Sequence, residues 1–311
     1  MVTLLILNSG FTGGNCAHAQ SAPHSAPLEV IHDKPFVMVM VNGKGPFRFV
    51  VDTGTGGEAF VTAELAAQLG LPGAGQARLQ DPSGQGGQRV PMVMIESLRV
   101  AGVEFTGIKA AVHPLGVGEG SYQGLLGFVL FRDYLLTLDF PAHRLTLEPG
   151  ALTPDGERSV LPFRMPDGVP IVAVEIGGLR TEAQIDSGGS GLSLPALMVP
   201  RLRFAIEPAD FGNGQSLSTR FQIKAARLAS NVRLGGYTFT QPFVEINPAF
   251  PLANLGACPL QGFAVTFDQK SLLVRFEGRQ KLLRLAATPS PIRLQSAPAA
   301  KPVDQSLVPV G

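Results

Sequence analysis

The chain has 311 residues, enough for about two domains of ordinary size. Its 37 glycines and 26 prolines, beside 16 % charged and 45 % hydrophobic residues, exclude coiled coils and helical bundles and favour short strands and turns around a sizeable core. The 25 basic and 24 acidic residues nearly cancel, so no charge excess points to nucleic acid or an acidic membrane surface.

The chain opens on the apolar run Met1–Asn8 and reaches Ala17-His18-Ala19, an A-x-A site. That is the shape of a secretory signal over residues 1–19, with 20–27 as a linker after cleavage and a periplasmic or secreted product. No later stretch is apolar enough to span a membrane as a helix. Cys16 leaves with the leader and Cys258 stands alone, so no disulfide framework or cysteine-based zinc site can form. The five histidines are scattered, with no pair at metal-ligand spacing. Gly188-Gly189-Ser190-Gly191-Leu192 breaks the G-x-S-x-G pattern of serine hydrolases at its last position.

Alternating apolar residues over 36–41, then Asn42-Gly43, predict a strand and a tight hairpin turn. The return strand over 47–51 delivers Asp52 to its end. Thr62–Leu69 is the one convincing helix, with Gly70 as its stop, and Asp81–Gly87 is a glycine-rich hairpin tip. After Pro149–Arg158, of linker composition, the pattern starts again. A strand over 171–174 and Gly177-Gly178 lead to a return strand over 181–185 that ends on Asp186. Asp52-Thr53-Gly54 recurs as Asp186-Ser187-Gly188, and Leu98–Phe105 recurs at the same spacing as Val232–Phe239. At a slightly shorter spacing, Leu126-Gly127 recurs as Leu255-Gly256, Leu138-Asp139 as Phe267-Asp268, and Leu145–Glu148 as Val274–Glu277. These matches describe a tandem duplication. The expected organisation is a mostly β protein with one lobe over 28–150, a linker over 151–158, a second lobe over 159–286, and a disordered Pro/Ala-rich tail over 287–311.

One D-[ST]-G triplet is ordinary turn chemistry. Two copies, each ending an apolar strand at one register of a repeated unit, call for another reading. If the lobes pack about a pseudo-twofold axis, Asp52 and Asp186 face each other. Two close carboxyls cannot both ionise, so they share a proton. The ionised member can then take a proton from water while the protonated one polarises a carbonyl, which suits hydrolysis of an amide without a covalent intermediate.

Phe49-Val-Val-Asp52-Thr-Gly-Thr55 with Gly124-Leu-Leu-Gly127, and Ala183-Gln-Ile-Asp186-Ser-Gly188 with Asn254-Leu-Gly256, resemble the aspartic proteases, and most closely the bacterial retropepsin-like type with two retropepsin units fused in one chain. The resemblance covers about residues 30–278. It implies a two-lobed fold of retropepsin-like β-barrel units, Asp52 and Asp186 as the catalytic dyad, Thr53 and Ser187 as interlobe hydroxyls, and Gly54, Thr55 and Gly188 as support for the carboxyls. It also implies a polypeptide substrate in the cleft, with no metal or cofactor. A fused pair of lobes needs no second copy, so a monomer is expected. Pepsin-like enzymes carry a flap tyrosine and usually disulfides. Here Tyr122, Tyr134 and Tyr237 lie outside any plausible first-lobe flap. The expected clamp is instead a pair of glycine-rich flaps, with Ser83, Gly84, Gly86 and Gly87 in the first lobe and Gly212 and Gly214, within Phe211–Gln215, in the second.

One asymmetry carries its own expectation. Thr55 follows the first triplet and Gly189 the second. A hydroxyl on the outer oxygen of Asp52 would favour its ionised form, placing the charge on Asp52 and the proton on Asp186. Thr55→Ala would then move the acidic limb of the pH–rate profile upward. Asp139 and Asp268 read as turn formers, His113 as a loop residue and Cys258 as a small buried apolar group. Two alternatives to an exported endopeptidase stand open: an inactive peptide-binding module of the same fold, and a structural β protein of the envelope.

Overall fold

A computed structural model describes residues 23–79, 87–115, 121–215, 220–278 and 282–283. The expected signal segment and tail, with flap residues Ser83, Gly84 and Gly86, lie outside the described residues. The protein is mostly β.

Two short strands, β1 (His24–Pro27) and β2 (Glu29–Ile31), precede the first hairpin, β3 (Lys34–Val41) and β4 (Lys44–Asp52). Asn42 and Gly43 turn it with φ of 48° and 72°, the paired left-handed conformation that matches strand twist. β5 (Ala59–Val61) leads into α1 (Ala63–Leu69). The Thr62 hydroxyl caps this helix by accepting from the Leu65 N–H, and Gly70 ends it at φ 62°, both as the sequence predicts. Next come β6 (Gly73–Leu79), β7 (Gln88–Val100), β8 (Val103–Val112), β9 (Gly124–Gly127), β10 (Leu135–Asp139) and β11 (Arg144–Glu148).

The second half runs β12 (Val160–Arg164), β13 (Ile171–Ile176), β14 (Leu179–Ile185), β15 (Leu192–Pro195), β16 (Phe204–Gln215), β17 (Arg220–Leu228), β18 (Val232–Leu234) and β19 (Tyr237–Phe239). It ends with β20 (Phe243–Asn247), β21 (Ala253–Leu255), the short α2 (Ala257–Leu260), β22 (Phe263–Asp268), β23 (Leu273–Gly278) and β24 (Leu282–Leu283). Gly177 and Gly178 turn the β13–β14 hairpin at φ 60° and 84°.

The sheet order β3-β4-β9-β5-β8-β7-β6 in the first half is matched by β13-β14-β21-β15-β20-β17-β16 in the second. In both, the strand that ends on the triplet aspartate pairs in parallel with the strand of the later apolar element, Val50 with Leu125 and Gln184 with Asn254. Between the two halves runs β1-β11-β10-β22-β23-β12. Its middle pairing is antiparallel and sets Thr137 opposite its sequence counterpart Thr266, with the two hydroxyls 2.9 Å apart. A residue that touches its own counterpart marks the local twofold axis.

The main core is continuous through both halves, with Phe49, Phe128 and Phe131 from the first and Phe239, Phe263 and Phe267 from the second fully buried. Phe128 crosses the junction to meet the Phe267 ring edge-on, centroids 5.0 Å apart, and the Gln269 amide donates to the Phe128 carbonyl. The junction is thus rigidly packed beneath the two triplets. Asp139 and Asp268 close turns, accepting from the N–H groups of Ala142 and of Lys270 and Ser271. His113 is buried, its Nδ1 2.7 Å from the Pro114 carbonyl. Cys258 is half-buried; burial first, then Asp33 and Glu245, push its thiol up to about 11.

Candidate active site

β4 and β14 each run out of the core and release the chain at the triplet. Thr53 and Ser187 are completely buried there, each bonded to the other half. The Thr53 N–H donates to Ser187 Oγ and the Ser187 N–H to Thr53 Oγ1, both at 3.0 Å. The Thr53 hydroxyl donates to the Ile185 carbonyl at 2.8 Å, and the Ser187 hydroxyl to the Val51 carbonyl at 2.7 Å. Each hydroxyl accepts one bond and donates another, so all four buried groups are satisfied. This exchange pins the two loops against each other.

The pinning brings Asp52 and Asp186 together, each carboxyl lying against the triplet glycine of the other half and the Asp186 charge acting on Asp52. The triplet glycines let them meet. A Cβ on Gly188 would lie 2.3 Å from Asp52 Cγ, and one on Gly54 2.4 Å from Asp186 Oδ1. Any side chain at either position would occupy the other half's carboxyl.

The pair is not symmetric: the Thr55 hydroxyl bonds the outer oxygen of Asp52 as expected, but Asp186 gathers more donors. Asp52 accepts from the Gly54 N–H at 2.8 Å and, on Oδ2, from the Thr55 hydroxyl at 3.0 Å. Asp186 accepts from the N–H groups of Gly188 at 3.0 Å and Gly189 at 2.8 Å, and on Oδ2 from Asn254 Nδ2 at 2.7 Å. Three donors favour the charged form more than two. Gly189 contributes its backbone N–H and leaves room for the Asn254 amide. Burial first, then the Asp186 charge, push Asp52 up to about 7, against Lys34 and the Thr55 hydroxyl, which pull it down. Asp186 thus has the larger set of donors, three to two, and Asp52 is driven toward its protonated form.

Lys34 Nζ, from the start of β3, donates across the junction to the Gly188 carbonyl. Gln184 Nε2, from β14, donates to the Gly54 carbonyl at 3.2 Å. Lys34, Gln184 and the role of Asn254 escape a reading of the triplets alone. Their signal is polarity where the matching positions of the first half are apolar: Val50 for Gln184 and Leu125 for Asn254. Leu125 instead joins a small apolar cluster with Phe60, Val90 and Ala111. Behind Gly191 lies another half-buried acid, Glu245, pushed up to about 7 by burial and by Asp33.

The flap residues divide. β6–β7 and β16–β17 occupy matching places in the two sheets. Gly87 sits beside the Arg78 guanidinium at the start of the return strand. Gly212 and Gly214 correct the expectation of a loop tip at Phe211–Gln215: they lie within β16, opposite Ile223 and Phe221, and residues 216–219, between β16 and β17, lie outside the described residues. A cavity lined by Ala196, Val199, Pro208, Ile246 and Pro248 together with Gln222 and Lys224 lies beside this hairpin, and no triplet residue lines it. Among the described residues, no three His, Cys, Asp or Glu side chains stand together to hold a metal ion, and no helix is long and apolar enough to cross a membrane.

No curated protein matches the chain. Residues 37–130, which contain the first triplet, α1 and Gly124-Leu-Leu-Gly127, match the family model for aspartyl proteases.

Proposed function

We propose that this chain is an exported aspartic endopeptidase, built by duplication of a retropepsin-like unit and active as a monomer, with Asp52 and Asp186 as its catalytic pair. The observation that carries the reading is the reciprocal Thr53–Ser187 exchange, which sets two carboxyls close together at the junction of the halves, each against the other half's triplet glycine. A close, half-buried pair of acids is costly to assemble and has little use in a passive binder.

The donor pattern assigns the roles. The Asp186 carboxylate removes a proton from a water held between the acids as its oxygen attacks the scissile carbonyl carbon. The carbonyl π electrons pass to oxygen, which takes the proton from Asp52. Collapse of the tetrahedral intermediate returns that proton to Asp52 and delivers the proton on Asp186 to the departing amine. The pair ends as it began. Hairpins β6–β7 and β16–β17 are suited to closing over an extended polypeptide. Secretion or a periplasmic location rests on the leader composition alone.

Incubating the purified protein with a peptide library across pH, beside Asp52→Asn and Asp186→Asn, tests this reading. Cleavage by the wild type and loss in both variants support it. Binding without cleavage favours the inactive peptide-binding module, and cleavage that survives either substitution rejects the assignment of the pair.

A further inference from the structure

We infer that Asn254 is a positioning residue for the carboxyl pair: its side-chain amide does for Asp186 what the Thr55 hydroxyl does for Asp52, with Gly189 leaving the space for it. The inference deepens the peptidase reading and rests on it for its catalytic meaning.

The two halves solve one problem from different places. In the first, the outer-oxygen donor is local: Thr55 lies in the loop three residues after Asp52 and bonds Oδ2 at 3.0 Å. In the second, the same loop position is Gly189, and the donor comes from β21, where Asn254 Nδ2 reaches Asp186 Oδ2 at 2.7 Å. The exchange is sterically linked. A Cβ on Gly189 would stand 2.7 Å from Asp186 Oδ2 and 2.9 Å from Asn254 Nδ2, too close to both the donor and the acceptor of that bond. A side chain at 189 and an amide at 254 therefore exclude each other.

Packing alone gives Asn254 no reason to be polar. Its counterpart Leu125 fills an apolar cluster, while Asn254 Oδ1 is buried without a hydrogen-bonding partner among the described residues. A buried amide oxygen left unpaired is a penalty that leucine would avoid. The bond from Nδ2 is what offsets it, and an amide nitrogen donates to a carboxylate without competing for its proton. The ionisable and charged groups around Asp186 are Asp52 opposite, Lys34 on the Gly188 carbonyl, and Glu245 with Asp33 beyond Gly191.

The test compares Asn254→Leu with Thr55→Ala in the purified full chain, by the pH profile of peptide cleavage and by carbon-13 NMR titration of the aspartate carboxyls. In a coupled pair, the first acid to ionise governs the acidic limb and the second the alkaline limb. Asn254→Leu should move the acidic limb up by about one pH unit and leave the alkaline limb in place. Thr55→Ala should move the alkaline limb up and leave the acidic one. Should Asn254→Leu fail to fold, Asn254→Ala removes the amide without adding bulk. Unmoved limbs in the Asn254 variants, or a shift of the alkaline limb alone, overturn the inference. A wild type that cleaves nothing would sink the peptidase reading instead. The carboxyl titrations would still decide whether Asn254 sets the ionisation of Asp186.

Discussion

Removing one hydroxyl from the Thr53–Ser187 exchange should cost far more than a methyl group does. Thr53→Ala deletes the acceptor of the Ser187 N–H and the donor to the Ile185 carbonyl, at a site where both side chains are completely buried. Each polar group so orphaned costs about 1–3 kcal/mol, giving about 2–6 kcal/mol for the hydroxyl. Thr53→Ser keeps the oxygen and loses only the methyl, at about 1 kcal/mol. Because Thr53→Ala loses that methyl too, the difference between the two variants is the hydroxyl contribution, about 2–6 kcal/mol, a large share of the roughly 5–15 kcal/mol typical of a folded domain. Urea denaturation in an Asp52→Asn background, where self-cleavage cannot contribute, measures it. Ser187→Ala against Ser187→Thr should give a similar gap, because the exchange is reciprocal. A gap below about 0.5 kcal/mol in either comparison would mean that the packed junction, and not these bonds, holds the loops together.

Asp52, raised from 3.8 to about 7, contributes stability that is complete below its unfolded value and lost as pH rises through about 7. Asp52→Asn should therefore flatten the fall in stability from acid to mildly alkaline pH, by about 2–4 kcal/mol in denaturation series at several pH values. Catalysis needs the shared proton, so cleavage should decline as pH rises through about 7; a rate that holds to pH 9 would contradict the assignment. Lys34 lowers Asp52, so Lys34→Met should extend activity to higher pH by about one unit, with Lys34→Arg leaving the limb where it is. Gly188→Ala places a Cβ 2.3 Å from Asp52 Cγ and should reduce kcat/KM at least about 100-fold, measured on any peptide that the wild type cleaves.

Legibility in the sequence followed the range of the interactions. The Asn42-Gly43 and Gly177-Gly178 turns, the Thr62 cap and the Gly70 stop are decided within a few residues, and all were readable. The meeting of the triplets was readable because repetition at one spacing implies an axis. The second hairpin was misplaced for a local reason. Pro208, Gly212 and Gly214 interrupt the alternation of β16, and its pairing with β17 slips register at three points, so the segment resembles a loop although it is a bulged strand. The outer donor to Asp186 is not legible from the three residues that follow each aspartate, because Asn254 lies 68 residues beyond Asp186, where the matching position of the first half is the apolar Leu125.

An axis that makes Thr53 equivalent to Ser187, and Thr137 to Thr266, tends to make Asp52 equivalent to Asp186 as well. Two equivalent acids share a proton evenly, whereas hydrolysis needs one acid and one base. Symmetry and chemistry therefore pull apart at the carboxyls, and the groups that break the tie stand off the axis. The axis-proximal contacts stay matched because both loops depend on them for position. The outer contacts can diverge, since each touches one carboxyl only: Thr55 on Asp52, Asn254 on Asp186. Gln184 braces the first triplet through Gly54, while Lys34 is bonded to the second through Gly188 and acts on Asp52 by its charge. A single chain can carry such differences, whereas two identical chains related by a twofold axis carry every substitution twice. Both halves standing in one chain is what lets the outer contacts of the two carboxyls differ, a hydroxyl on one and an amide on the other.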